Sequence, residues 1–212
     1  MLVTSKKPSM ESSLQAFVEL AVRGLTAPRH EIAEVRQSMP DKAGLYAIYG
    51  DRVTWEDLGL GEPPDERPLY VGKAERSLAS RDVKTHFQCG RTGQSTLRRS
   101  IAALLRTKFA LRGIPRNPLR PERATHYSLS AEHDAMLDTW MAARLRLAFW
   151  TRPHECKDLG AIEVVLLRLW HPPLNLQNNK SPWRTSVVVA RETMASDVRA
   201  WCLERGWSLN PR

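Results

Sequence analysis

Cysteine is scarce in this chain of 212 residues, and the three present, Cys89, Cys156 and Cys202, stand far apart. An odd, widely spaced set excludes a disulfide framework and offers none of the paired ligands of a structural zinc site. Long apolar runs are missing as well: none approaches the roughly eighteen residues that a membrane-spanning helix needs. The opening residues, with Lys6, Lys7 and Pro8 close behind Met1, lack the apolar core of a secretory leader. The expectation is a cytoplasmic protein with no membrane partner. No internal repeat or low-complexity stretch is evident, so a packed core must come from ordinary helices and strands.

Acidic charge is in deficit. Lys and Arg number 32 against 23 Asp and Glu, a formal net charge of +9. The excess is local: residues 71–123 hold thirteen basic and three acidic residues, which is +10 and leaves −1 for the remainder. Concentrated positive charge favours a polyanion, because each phosphate neutralised releases condensed counterions. A nucleic acid is the expected partner, with an ordinary solvated basic face as the plainer alternative.

Two short runs, 43–49 and 68–74, are aromatic or aliphatic and bounded by Pro, Gly and charged residues, as strands are. They read as antiparallel neighbours joined by a long loop over 50–67, since Tyr70 stands twenty-four positions after Tyr46. Leu14, Phe17, Val18 and Val22 space a helix over 11–25. A short helix over 74–87 would carry Arg81 and His86. Ser95 N-caps a basic helix to about residue 107, with Arg98, Arg99 and Arg106 as candidate phosphate contacts. Residues 124–129 read as a strand, 130–143 as a helix capped by Ser130, and 144–151 as a strand. Asp158 caps an apolar helix that bears a lone glutamate, Glu163, and is stopped by His171, Pro172 and Pro173. A final helix spans 187–205, ending near Gly206.

In order along the chain stand Gly44-Leu45-Tyr46, then Tyr70-Val71-Gly72 with Lys73 and Ala74, then Arg81 and His86, and finally Glu163 with Pro172, Pro173, Leu174 and Asn175. This series resembles the GIY-YIG nuclease family over roughly residues 43–176. The resemblance implies an α+β fold, a three-stranded antiparallel sheet flanked by helices, and cleavage of DNA phosphodiesters with one divalent cation. It divides the chain into an N-terminal tail and helix over 1–42, the nuclease domain with insertions over 43–176, and a C-terminal helical extension over 177–212. The long loop after the first strand and the long stretch between His86 and Glu163 depart from the family pattern, and substrate choice would reside there.

Phosphodiester hydrolysis needs an activated water, charge neutralisation and help for the departing oxygen. A single carboxylate can hold Mg²⁺ or Mn²⁺ when water and phosphate complete the octahedron, which makes Glu163 the candidate metal ligand. Tyr46 is the candidate to take or relay the proton of the attacking water. A phenol, with an ordinary pKa of about ten, needs nearby cations for that, and Lys73 and the metal would supply them. Tyr70 would orient water or phosphate. Arg81 offers the planar donor fork of a phosphate clamp. His86 would shuttle a proton or donate to phosphate, and Asn175 would bond the active-site backbone or a water.

Two rivals stand beside this reading. Pro40-Asp41 with Glu155-Cys156-Lys157 spells fragments of another metal-nuclease pattern. A non-catalytic DNA-binding or regulatory module using the same basic surface is the second. Restriction, repair and mobile-element homing are alike compatible with the residues, and a homodimer is one arrangement that would cut both strands.

Overall fold

The computed structural model describes residues 10–80, 85–117 and 120–207. In chain order the elements are α1 (Met10–Thr26), β1 (His30–Glu31), α2 (Ile32–Ser38), β2 (Gly44–Gly50), α3 (Arg52–Asp57), β3 (Tyr70–Ala74), α4 (Thr96–Leu104), α5 (Ala131–Arg144), β4 (Leu145–Thr151), α6 (Leu159–Trp170) and α7 (Arg184–Glu204). The four strands form one antiparallel sheet in the order β1-β4-β2-β3. This is the expected α+β architecture with one strand more: the two residues of β1 pair with Leu147 and Arg146 of β4.

β2 is central, so both its faces are covered. Tyr46 and Ile48 point into a core shared with residues of α2, α3, α4, α5 and α7, while Leu45, Ala47 and Tyr49 pack against α1 and α6. The alternation of side chains along a strand thus divides the molecule into two apolar layers about one sheet. Ser95, Ser130 and Asp158 cap α4, α5 and α6 as their sequence positions predict, each side chain accepting from a backbone N–H in the first turn. His171 adopts a left-handed conformation, φ 44°, and its N–H closes α6 on the Leu167 carbonyl.

The structure corrects two local expectations and adds one helix. The acidic segment after β2 is not all loop: Asp51 accepts from the Thr54 N–H at 2.8 Å and starts α3, whose Trp55 is buried. The short helix α2 begins on a reciprocal Glu31/Glu34 capping box that the sequence reading did not include. Residues 124–129 do not form a strand. Pro121, with its fixed φ and no N–H, opens a 3-10 segment to His126, and Ser128 makes an isolated bridge to Ile114. Among the described residues no helix is long and apolar enough to cross a membrane.

Candidate active site

β3 has β2 on one side only, so it forms an edge of the sheet beside an open cleft of about 1110 Å³. Tyr46 pairs with Gly72, and Ile48 with Tyr70, which sets both tyrosines on one face of the sheet with ring centroids 6.1 Å apart. The two motif glycines have a steric reason. A Cβ on Gly72 would lie 2.4 Å from the Tyr46 Cζ and hydroxyl, and one on Gly44 would lie 2.3 Å from the Trp150 carbonyl oxygen. Gly72 is therefore the floor on which the Tyr46 phenol rests.

His86 stands against both tyrosines, 5.7 Å from the Tyr46 ring and 5.8 Å from the Tyr70 ring between centroids. Its Nε2 is 2.7 Å from the Tyr46 hydroxyl and its Nδ1 is 2.7 Å from Ser95 Oγ, so one imidazole links the buried phenol to the α4 cap. Ser95 also accepts from the Arg98 N–H at 3.1 Å, and the Arg98 guanidinium donates to the His86 carbonyl at 3.1 Å. Both the ring and the backbone of His86 are thereby fixed by α4.

Across the edge strand, on the face shared with α6, Lys73 lies 3.7 Å from the Glu163 carboxylate and 3.0 Å from that of Glu75. The hydrogen bond that Lys73 donates to Glu75, reinforced by the charge of Glu163, raises the Lys73 pKa above the ordinary lysine range. Lys73 is therefore a fixed cation at neutral pH and not a base. Gly160 makes room for it, since a Cβ there would stand 3.1 Å from Nζ. Among the described residues no group of three or more His, Cys, Asp and Glu side chains gathers in metal-ligand fashion. The half-buried Glu163 carboxylate lines the water-accessible cleft, and one carboxylate in such a place fits a hard divalent ion that keeps most of its waters.

Asn175 closes the outer edge of β3. Its Oδ1 accepts from the Val71 N–H at 2.9 Å and its Nδ2 donates to the Val71 carbonyl at 2.7 Å, imitating a paired strand. The Leu174 N–H adds a bond to the Leu69 carbonyl at 2.9 Å. Asn175 is thus placed to bond active-site backbone.

Tyr46, Tyr70, Lys73, Glu163 and Asn175 all line the cleft, with His86 directly behind Tyr46. Arg81 lies outside the described residues. The three arginines of α4 and its C-terminal turn divide. Arg98 is a correction to the sequence reading: it is fully buried, paired with Asp134 at 2.5 Å and Asp138 at 3.0 Å, and cannot reach a polyanion. Arg106 gives its fork to Asp197, at 2.7 and 2.9 Å, and clasps α7. Arg99 faces the cleft. Sequence reasoning missed Ser95 as the partner of His86, and missed the cleft residues His126 and Arg191 altogether. Neither Asp41 nor Glu155 lines the cleft, so the fragments of the rival nuclease pattern do not meet this site.

A buried tyrosine bonded to a histidine thus stands beside a lone carboxylate on a basic cleft. The chain matches the family model of the GIY-YIG catalytic domain over residues 62–193, well over half its length, and it belongs to that family of nucleases. No curated protein and no solved structure matches it. The matched span contains Tyr70, His86, Glu163 and Asn175, and β2 brings Tyr46 to them through its pairing with β3.

Proposed function

We propose that this protein is a metal-dependent endonuclease that hydrolyses DNA phosphodiester bonds. The observation that carries the reading is the 2.7 Å contact between the Tyr46 hydroxyl and His86 Nε2, buried at the floor of the cleft that Glu163 lines. In the tautomer whose Nδ1–H donates to Ser95 Oγ, Nε2 is the acceptor for the phenol proton. Tyr46 then takes a proton from the attacking water while its own passes to His86. The water oxygen bonds to phosphorus, the P–O3′ bond breaks, and the 3′ oxygen takes up a proton from solvent. Tyr70, beside Tyr46 and His86, orients the water or the scissile phosphate.

Glu163 would hold the divalent cation, Mg²⁺ or Mn²⁺, which when bound neutralises charge on the nonbridging oxygens. Lys73 keeps Glu163 oriented and adds positive charge at the same place. Arg81 is assigned the phosphate clamp. Asn175 keeps β3, and with it Tyr70, in register. The catalytic domain is read as residues 43–176 with extensions over 1–42 and 177–212, and the three free thiols suit a reducing cytoplasm.

Supercoiled plasmid incubated with wild type and with Glu163→Gln, each in Mg²⁺, Mn²⁺ or EDTA, tests the reading. Metal-dependent cutting by wild type, reduced about a thousandfold in the variant, is expected for loss of a metal ligand. Tight binding of DNA without cutting in either metal would instead mark a binding module.

A further inference from the structure

We propose that Arg99 of α4 and Arg191 of α7, with His126, form a second phosphate-binding subsite, which holds a backbone phosphate of the nucleic acid other than the one being cut. The inference rests on the nuclease reading for the identity of the phosphate's carrier. It rests on geometry for the subsite itself.

The three side chains line the same cleft as the tyrosines and Glu163. Arg99 is only 6% exposed. One terminal nitrogen donates to the Gly93 carbonyl at 2.8 Å and the other to Thr96 Oγ1 at 3.3 Å, which leaves Nε buried with no hydrogen-bond partner. Buried donors are nearly always satisfied, so an unfilled guanidinium donor at a cleft wall calls for an acceptor from outside. Arg191, half-buried on α7, has neither a carboxylate nor a hydrogen-bond acceptor among the described residues.

Among the described residues no carboxylate pairs with Arg99 or Arg191. Burial, followed by the charges of Arg191 and Arg116, pushes Arg99 down to about 10, and burial, followed by the charges of Arg99, Arg116 and Arg191, holds His126 below the ordinary histidine range. Desolvated like charges are costly until an anion arrives. A tetrahedral oxyanion suits best, because several acceptor oxygens can meet two planar forks at once. The ligand is a chain of phosphates and not a lone anion, for His126 is shared with an adjoining hollow lined by Arg116, Arg120 and Arg123. A row of cations continuing away from the tyrosines matches the repeat of a nucleic-acid backbone.

The test uses the full chain, with Arg191→Gln and the charge-retaining Arg191→Lys. A fluorescent DNA duplex is titrated in Ca²⁺ over a series of salt concentrations, and pyrophosphate is titrated separately while the thermal midpoint is followed. For Arg191→Gln we expect DNA affinity about tenfold weaker and a log–log salt slope smaller by about 0.9, the loss of one phosphate contact. Arg191→Lys should recover most of both. Pyrophosphate should raise the midpoint of wild type and leave that of Arg191→Gln unmoved. Equal affinity and slope in wild type and Arg191→Gln overturn the proposal, as does pyrophosphate stabilisation that is absent from wild type or equal in both. Wild type that responds to pyrophosphate through Arg191 but neither binds nor cuts DNA would leave the subsite standing and remove the nuclease reading.

Discussion

Arg98 and Arg99 are neighbours in sequence, both buried on α4, yet they face opposite fates. On the α5 side, Arg98 finds Asp134, Asp138, the Thr92 hydroxyl and the His86 carbonyl, and every nitrogen of its guanidinium is engaged. On the α7 side, Arg99 finds a carbonyl and a hydroxyl but no carboxylate among the described residues, and feels the charge of Arg191 instead. The first environment completes a cation within the protein and locks two helices around the loop that carries His86. The second leaves a cation incomplete at the wall of a cleft. Burial alone does not tell a structural arginine from a binding one; the presence or absence of a counter-charge does.

The most severe way to break this contrast is Arg98→Ala. It strands Asp134, which is 2% exposed, and removal of one partner of a buried ion pair costs about 3–5 kcal/mol. A fall in thermal midpoint of roughly 10 °C is expected for a chain of this size. A midpoint within a degree or two of wild type would deny Arg98 its structural role. Arg99→Met reverses the pattern: the midpoint should move far less than in Arg98→Ala, while duplex affinity drops about tenfold, as for one lost phosphate contact.

Ser95→Ala probes where the two environments meet, since the hydroxyl both caps α4 and holds His86. Loss of the cap should cost about 1 kcal/mol in chemical denaturation. Cleavage should fall beyond that and the pH–rate profile should shift, whereas Ser95→Thr, which keeps the hydroxyl, should restore the profile. An unchanged profile in Ser95→Ala would leave Ser95 a helix cap and nothing more.

The smallest effect concerns Asp57, a carboxylate matched by Lys108, the Trp140 indole and Arg144. The Lys108 hydrogen bond chiefly holds its pKa below the usual aspartate range. The folded state therefore releases this proton more readily than the unfolded chain. The stabilisation is complete above the ordinary aspartate pKa of about 3.9 and is lost as pH falls through the depressed folded value. Denaturant midpoints measured from pH 6 to pH 3 should decline less steeply in Asp57→Asn than in wild type.

Much of this was legible from residue order. The strands around Tyr46 and Tyr70, the caps at Ser95, Ser130 and Asp158, and the apolar helix bearing Glu163 all follow from local pattern, and the structure gathers Tyr46, Tyr70 and Glu163 about one cleft. What escaped depended on distant matches. Nothing in the run Leu97-Arg98-Arg99-Ser100 says that Asp134 and Asp138, one turn apart on α5, will meet the first arginine and not the second. Arg191 sits on an exposed-looking helix and gains meaning only from packing against α4. Short elements such as α2, α3 and β1 carry too few residues for periodicity to register, and they are held by capping and tertiary contacts.

The side-chain amide of Asn175 completes the hydrogen bonding of Val71 across a separation of 104 residues. A pairing so distant in sequence bears a large loop-closure cost and belongs among the late events of folding. During synthesis from the N-terminus, Tyr46, Tyr70 and His86 leave the ribosome well before the residue that secures their strand. The cleft is therefore finished only when α6 and the turn after it have joined the sheet, so a partly made chain carries the tyrosines without the assembled site.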